Sequence, residues 1–181
     1  TVNANMAPGT YSIRVRTTDN GQIPNNLTYE KTFTITVNDT TPPVAVCRNV
    51  TVNLSAPTIN PLAIDNGSTD NVGITARTIN GAASVTYTCA NLGANTATLR
   101  VADAAGNFSE CTATVTVVDN IAPVAACKNI TVNLSAPTIP ASVVDNGSSD
   151  NCGIASMLID GGANKTFSCA NIGPNTVTFR V

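Results

Sequence analysis

Residues 41–59, TPPVAVCRNVTVNLSAPTI, return at 121–139 as IAPVAACKNITVNLSAPTI, displaced by 80 positions. The correspondence continues from DNGSTDNVGI at 65–74 to DNGSSDNCGI at 145–154. It runs on from TCANLGANTATLRV at 88–101 to SCANIGPNTVTFRV at 168–181, with more than half of the aligned positions identical. Likeness spread this evenly marks a duplicated structural unit rather than a shared motif.

An apolar alternating run followed by Asp and Pro delimits the unit, TVNDTTPPV at 36–44 and TVVDNIAPV at 116–124. Proline removes a ladder donor and ends a strand. Junctions are therefore expected near Asp39 and Asp119, with linkers so short that neighbouring modules must touch or nearly touch. Residues 1–39 hold YSIRVRTTDNG and LTYEKTFTITVND, which read as the final hairpin of a preceding module. Residues 40–119 form a complete module, and 120–181 a second copy that stops before its last strand, so the chain reads as a window on a longer array. Inside the complete module NVTVNL, ITARTI, SVTYT, NTATLRV and ECTATVTV alternate with period two. DNG, NG and AAGN segments supply turns between them, and no ten-residue stretch carries a helical stripe. The expected fold is all-β, with tandem immunoglobulin-like β-sandwich modules arranged as a rod.

Composition sets bounds on function. A net charge of −2 gives no basic face for nucleic acid or an anionic membrane. The sequence has no apolar run long enough to insert in a bilayer, and TVNANMAPGT at its start is not a signal peptide, so any export signal is expected outside these residues. With no His and no Trp, the usual general base, the commonest metal imidazole and the sugar-stacking indole are missing together. No nucleophile, base and orienting group stand in a recognisable arrangement, so no enzyme is expected. The six cysteines form no CxxC pair and favour structural disulfides in an oxidising, extracellular setting.

The early Cys after a Pro-rich junction, TDNVG or SDNCG at mid-module, VADAAGN before the last strand and ECTATVTV at the end together resemble hyalin-repeat (HYR) modules over residues 40–181. DNCGI, CANIGPNTVT and VVDNIAP are similar to repeats in giant surface adhesins of gliding Bacteroidetes, which the type IX secretion system exports. GTYSIRVRTTDNG and YEKTFTITVND resemble the end of a bacterial cadherin-like domain. The HYR resemblance implies a clasp between Cys47 and Cys111, and a partner for Cys127 beyond Val181. Cys152 and Cys169 are then available to each other, leaving Cys89 a free, buried thiol opposite Val72.

Two readings of the acidic residues stand together. Asp and Asn in TTDNG, DNGSTDN and ADAAGN cap turns through their own backbone and need no ligand. Alternatively, calcium takes oxygen ligands from such loops. Asp19 and Asp39 would then form one interdomain site, and Asp103, Asn107 and Asp119 a second, as the cadherin-like resemblance implies. The DTT at Asp39 is similar to a Bacteroidetes O-glycosylation motif with Thr40 as acceptor. The expected function is a structural stalk in a surface adhesin involved in adhesion and gliding motility. Its partners would be neighbouring repeats of the same polypeptide, and surface polysaccharide or secretion and motility machinery. The alternatives are a carbohydrate- or protein-binding module, or an accessory domain of a secreted enzyme.

Overall fold

A computed structural model describes residues 6–18 and 28–181. The protein is all-β, its strands joined by turns and a few single-turn helices. Strands β1 (Gly9–Thr18) and β2 (Thr28–Val37) form an antiparallel ladder with Gly9 opposite Val37 and Thr18 opposite Thr28. There follow β3 (Val50–Asn53), β4 (Thr58–Ile59), helix α1 (Pro61–Ile64), β5 (Ile74–Ile79), β6 (Val85–Thr86), β7 (Gly93–Asp103) and β8 (Phe108–Val118). Four of these make one sheet in the order β3-β8-β7-β5, while β4 pairs with β6. Helix α1 is a single turn for a local reason: Asn60 caps it by accepting from the Leu62 amide at 3.0 Å, and Pro61 opens it where a missing N–H is harmless.

The second repeat contributes β9 (Thr138–Pro140), β10 (Leu158–Ile159), β11 (Asn164–Thr166) and β12 (Phe179–Arg180), paired as β9 with β11 and β10 with β12. The repeat persists in three dimensions. The isolated bridges Val44 to Thr69, Cys47 to Asp65 and Ile79 to Ala82 return as Val124 to Ser149, Cys127 to Asp145 and Ile159 to Gly162. After β5, Asn80 and Gly81 both adopt positive φ, 50° and 79°, which a two-residue type I′ turn requires. Asp160 and Gly161 repeat it at 48° and 83°. In the second repeat a groove of about 740 Å³ is lined by Ile130, Val132, Ile139, Val144, Val177 and Phe179 among others.

By its contacts the chain gathers into two compact units, Thr1–Val50 with Ile59–Val85 and Thr96–Thr114, and Thr51–Thr58 with Thr86–Asn95 and Val115–Val181. The first unit buries Ile64, Ile79, Ala97, Leu99, Val101 and Ala113. The second buries Val52, Tyr87, Val115 and Val117, together with a cluster of Ala141, Val144 and Ile159. Alternation in β7 turns Ala97, Leu99, Val101 and Asp103 inward, so an apolar row ends on a carboxylate. Segments 51–58 and 86–95 of the first repeat gather with the second because they are bonded to it: the Ser55 amide donates to Asn120 Oδ1 at 3.2 Å, Asn120 Nδ2 donates to Ser55 Oγ at 3.0 Å, and Cys89 is joined to Cys152.

Leu99 is fully buried, so Leu99→Ala removes its transfer free energy and leaves a cavity. Urea unfolding should show a loss of about 2–5 kcal/mol with an unchanged denaturant slope.

Candidate functional site

Two constellations carry chemistry, a group of acids within the first unit and a set of cysteines. The acids begin with a knot that shapes the loop before β5. Asp65 Oδ1 accepts from the Ser68 amide at 2.9 Å and from Ser68 Oγ at 2.7 Å, while Arg77 Nε donates to Asp65 Oδ2 at 2.8 Å. The Val46 amide in turn donates to Ser68 Oγ at 3.0 Å. This fastens the loop 65–73 to the strand-like segment around Cys47 and sets the position of Asp70. The loop then closes on Asp70 Oδ2, which accepts from the Val72 and Gly73 amides at 2.9 and 2.7 Å.

Asp103 closes the inward row of β7 and is only 6% exposed. Its Oδ1 accepts from the Asn107 amide at 2.9 Å and its Oδ2 from Asn107 Nδ2 at 2.7 Å, so the turn folds over it. Asn107 Nδ2 also donates to the Asp39 carbonyl at 3.2 Å. Asp39 Oδ1 accepts from the Thr41 amide at 3.0 Å and from Asn71 Nδ2 at 3.3 Å. The result brings one carboxylate oxygen each from Asp39, Asp70 and Asp103 within 4.8 Å of one another.

The expected grouping of the acids is corrected in two respects. Asp39 shares a cluster with Asp103 and Asn107, whereas Asp119 does not join them; its Oδ1 accepts from the Ile121 amide at 3.0 Å and from Asn151 Nδ2 at 3.2 Å. The physical reason is register: Asp119 is the counterpart of Asp39 one repeat later and makes the same turn there. Asp70 was missed, although its copy at Asp150, in the same DNGSxDN context, was a signal in the sequence. Asp19 lies outside the described residues, and Thr40 is exposed.

Cys47 is bonded to Cys111, the pair the resemblance implies, with a Cα separation of 5.8 Å; against expectation, Cys89 is bonded to Cys152 at 5.3 Å. Cys152 therefore does not pair with Cys169, and Cys89 is not a free thiol; Cys127 and Cys169 are free and exposed. A disulfide requires Cα atoms about 4.4–6.8 Å apart, and the 3₁₀ turn at Cys89–Asn91 presents Cys89 to the DNCG loop of the next repeat rather than to its own. The bond runs from the second repeat back to the first, and Val72 stands in the first repeat where Cys152 stands in the second. The Cys152 amide donates to Asp150 Oδ2 at 2.9 Å, and Asn151 Nδ2 reaches both Asp119 and Cys152 Sγ, so junction acid and disulfide are fastened together.

No family model and no curated protein matches the chain. Among the described residues no helix is long and apolar enough to cross a membrane. Two disulfides suit an oxidising, extracellular environment.

Among the described residues four acids are held below the ordinary 3.8. For Asp65, burial alone would raise the value, but bonds from Ser68 and the Arg77 guanidinium outweigh it. Burial opposes the same trend at Asp103, where Asn107 and the Gly106 and Ala105 amides prevail. Ser148 holds Asp145 down, and Lys165 does so for Asp160. Groups with depressed folded values contribute stability above their unfolded pKa and lose it as pH falls through the lower folded value. Stability should thus be flat above about pH 5 and decline below about pH 4. Asp65→Asn should lower stability at neutral pH and shallow that decline, as read by urea unfolding at stepped pH.

Proposed function

We propose that this chain is a non-catalytic shaft segment of a long, repetitive cell-surface adhesin. In this reading residues 40–119 and 120–181 are HYR-like, immunoglobulin-like modules in tandem, and residues 1–39 end a cadherin-like one. The modules act as spacers that hold a binding region away from the cell, with neighbouring repeats as their main partners. Resemblance to the surface adhesins of gliding Bacteroidetes supports a role in adhesion and gliding motility after type IX secretion.

The observation that carries the reading is the topology of the two disulfides. Cys89 lies between Cys47 and Cys111, and Cys111 lies between Cys89 and Cys152, so the two closed loops overlap. Under tension the shortest covalent route from Cys47 to Cys152 crosses both bonds and uses only the backbone between Cys89 and Cys111. Most of that stretch is therefore shielded from extension, and the shield spans the junction at Asp119. Such an arrangement serves a load-bearing shaft and has no evident use in a solitary binding domain.

Single-molecule pulling from the two termini tests this directly. Reduction, or the double variant Cys89→Ser with Cys111→Ser, should lengthen the released contour by roughly 30 nm. An unchanged contour on reduction would remove the shaft reading's main support.

A further inference from the structure

Asp39, Asp70 and Asp103 bring one carboxylate oxygen each within 4.8 Å of one another, and two of those side chains have an oxygen that accepts no hydrogen bond. Asp39 Oδ2 and Asp70 Oδ1 are fully buried and receive no hydrogen bond. Their fellow oxygens explain how they are held there: Asp39 Oδ1 is fixed by Thr41 and Asn71, and Asp70 Oδ2 by Val72 and Gly73. The backbone thus orients each carboxylate so that its second oxygen is turned from solvent without a donor. Buried acceptors are almost always satisfied, and an unpaired one stands out. Two of them beside a third, nearly buried carboxylate combine desolvation with like-charge repulsion, the arrangement that proteins otherwise avoid. None of the ion pairs among the described residues brings a Lys or Arg to these acids.

We propose that this cluster is a binding site for a hard divalent cation of the calcium type, with Asp39, Asp70 and Asp103 as its protein ligands. Oxygens bound to one calcium ion at about 2.4 Å lie no more than about 4.8 Å apart, and the three carboxylate oxygens fall within that limit. The donor set is oxygen alone, with neither imidazole nor thiolate, which suits calcium over zinc or copper. Water completes the shell, since calcium takes six to eight oxygens.

The second repeat supplies an independent sign. Asp150, the counterpart of Asp70, also has a buried Oδ1 with no partner. Asp119, the counterpart of Asp39, is held by Ile121 and Asn151 as Asp39 is held by Thr41 and Asn71. The same unpaired, buried oxygen thus recurs in the same turn of both repeats. Bound at the first site, the cation ties the segment leaving β2, the loop before β5 and the end of β7 together. This goes beyond the shaft reading and does not depend on it.

The test uses the 181-residue protein with its disulfides intact, freed of metal with EGTA. Calorimetric titration with calcium chloride should give a saturable heat, and thermal unfolding should shift upward by several degrees in millimolar calcium but not in sodium chloride of equal ionic strength. Asp70→Asn keeps an oxygen for the Val72 and Gly73 amides and turns an amide toward the other two acids. It should unfold no lower than the original protein in EGTA, yet bind calcium roughly tenfold or more weakly and lose most of the thermal shift. Asp160→Asn, remote in function, should retain the full calcium response. Absence of both heat and thermal shift in the original protein overturns the site whatever the variants do. A full calcium response in folded Asp70→Asn overturns the assignment equally.

Discussion

The bonds Cys47–Cys111 and Cys89–Cys152 enclose overlapping stretches of chain, and most of what distinguishes this protein follows from that overlap. A single closed loop of this size stabilises by about 4 kcal/mol on the chain-entropy account. Two overlapping loops act on shared residues, so their effects do not simply add. The first bond ties the segment after one junction to the strand that leads to the next. The second carries the restraint past Asp119 into the following repeat. Segments 51–58 and 86–95 consequently gather with residues 115–181, and the compact units do not follow the repeat.

Within that covalent frame, packing and polar satisfaction divide the labour. The inward row Ala97, Leu99 and Val101 removes apolar surface from water, worth about 25 cal/mol per Å². The same period of two then forces Asp103 inward, where its charge is tolerated because Asn107 supplies two donors. Asp65 is handled alike, with Ser68 and Arg77 closing every exposed lone pair that matters. Short polar side chains thus hold the loops that a small core cannot hold by itself. The cost is a set of acids whose geometry is set by their neighbours.

The two repeats share backbone register yet differ in chemistry. Arg77 pairs with Asp65, but Met157 takes its place in the second repeat, where Asp145 relies on Ser148 alone among side chains. Lys165 instead reaches Asp160 at 2.8 Å across the I′ turn, a pair with no counterpart at Asn80. Duplication therefore preserves turns and bridges, which are set by backbone requirements at Gly and Asn, while side-chain pairs drift.

The alternation of apolar residues and the 80-residue repeat were enough to place the strands, because period-two burial and Gly or Asn turns are local properties of the chain. NVTVNL contains β3, ITARTI is β5, NTATLRV and ECTATVTV lie within β7 and β8, and YSIRVRTT and TYEKTFTITV lie in the paired strands β1 and β2. The residues themselves also marked Asp39, Asp103 and Asn107 as turn residues of chemical interest. Which cysteines meet, and which acids share a point, rests on distances between segments far apart in sequence, and nothing in a local pattern encodes these. Cys152 could be assigned to Cys169 on proximity in the chain, but the tertiary structure brings Cys89 to 5.3 Å because its 3₁₀ turn faces the next repeat. Asp70 joined Asp39 and Asp103 for the same reason: the knot of Asp65, Ser68 and Arg77 bends its loop back to the junction, a constraint that exists only once the chain has folded.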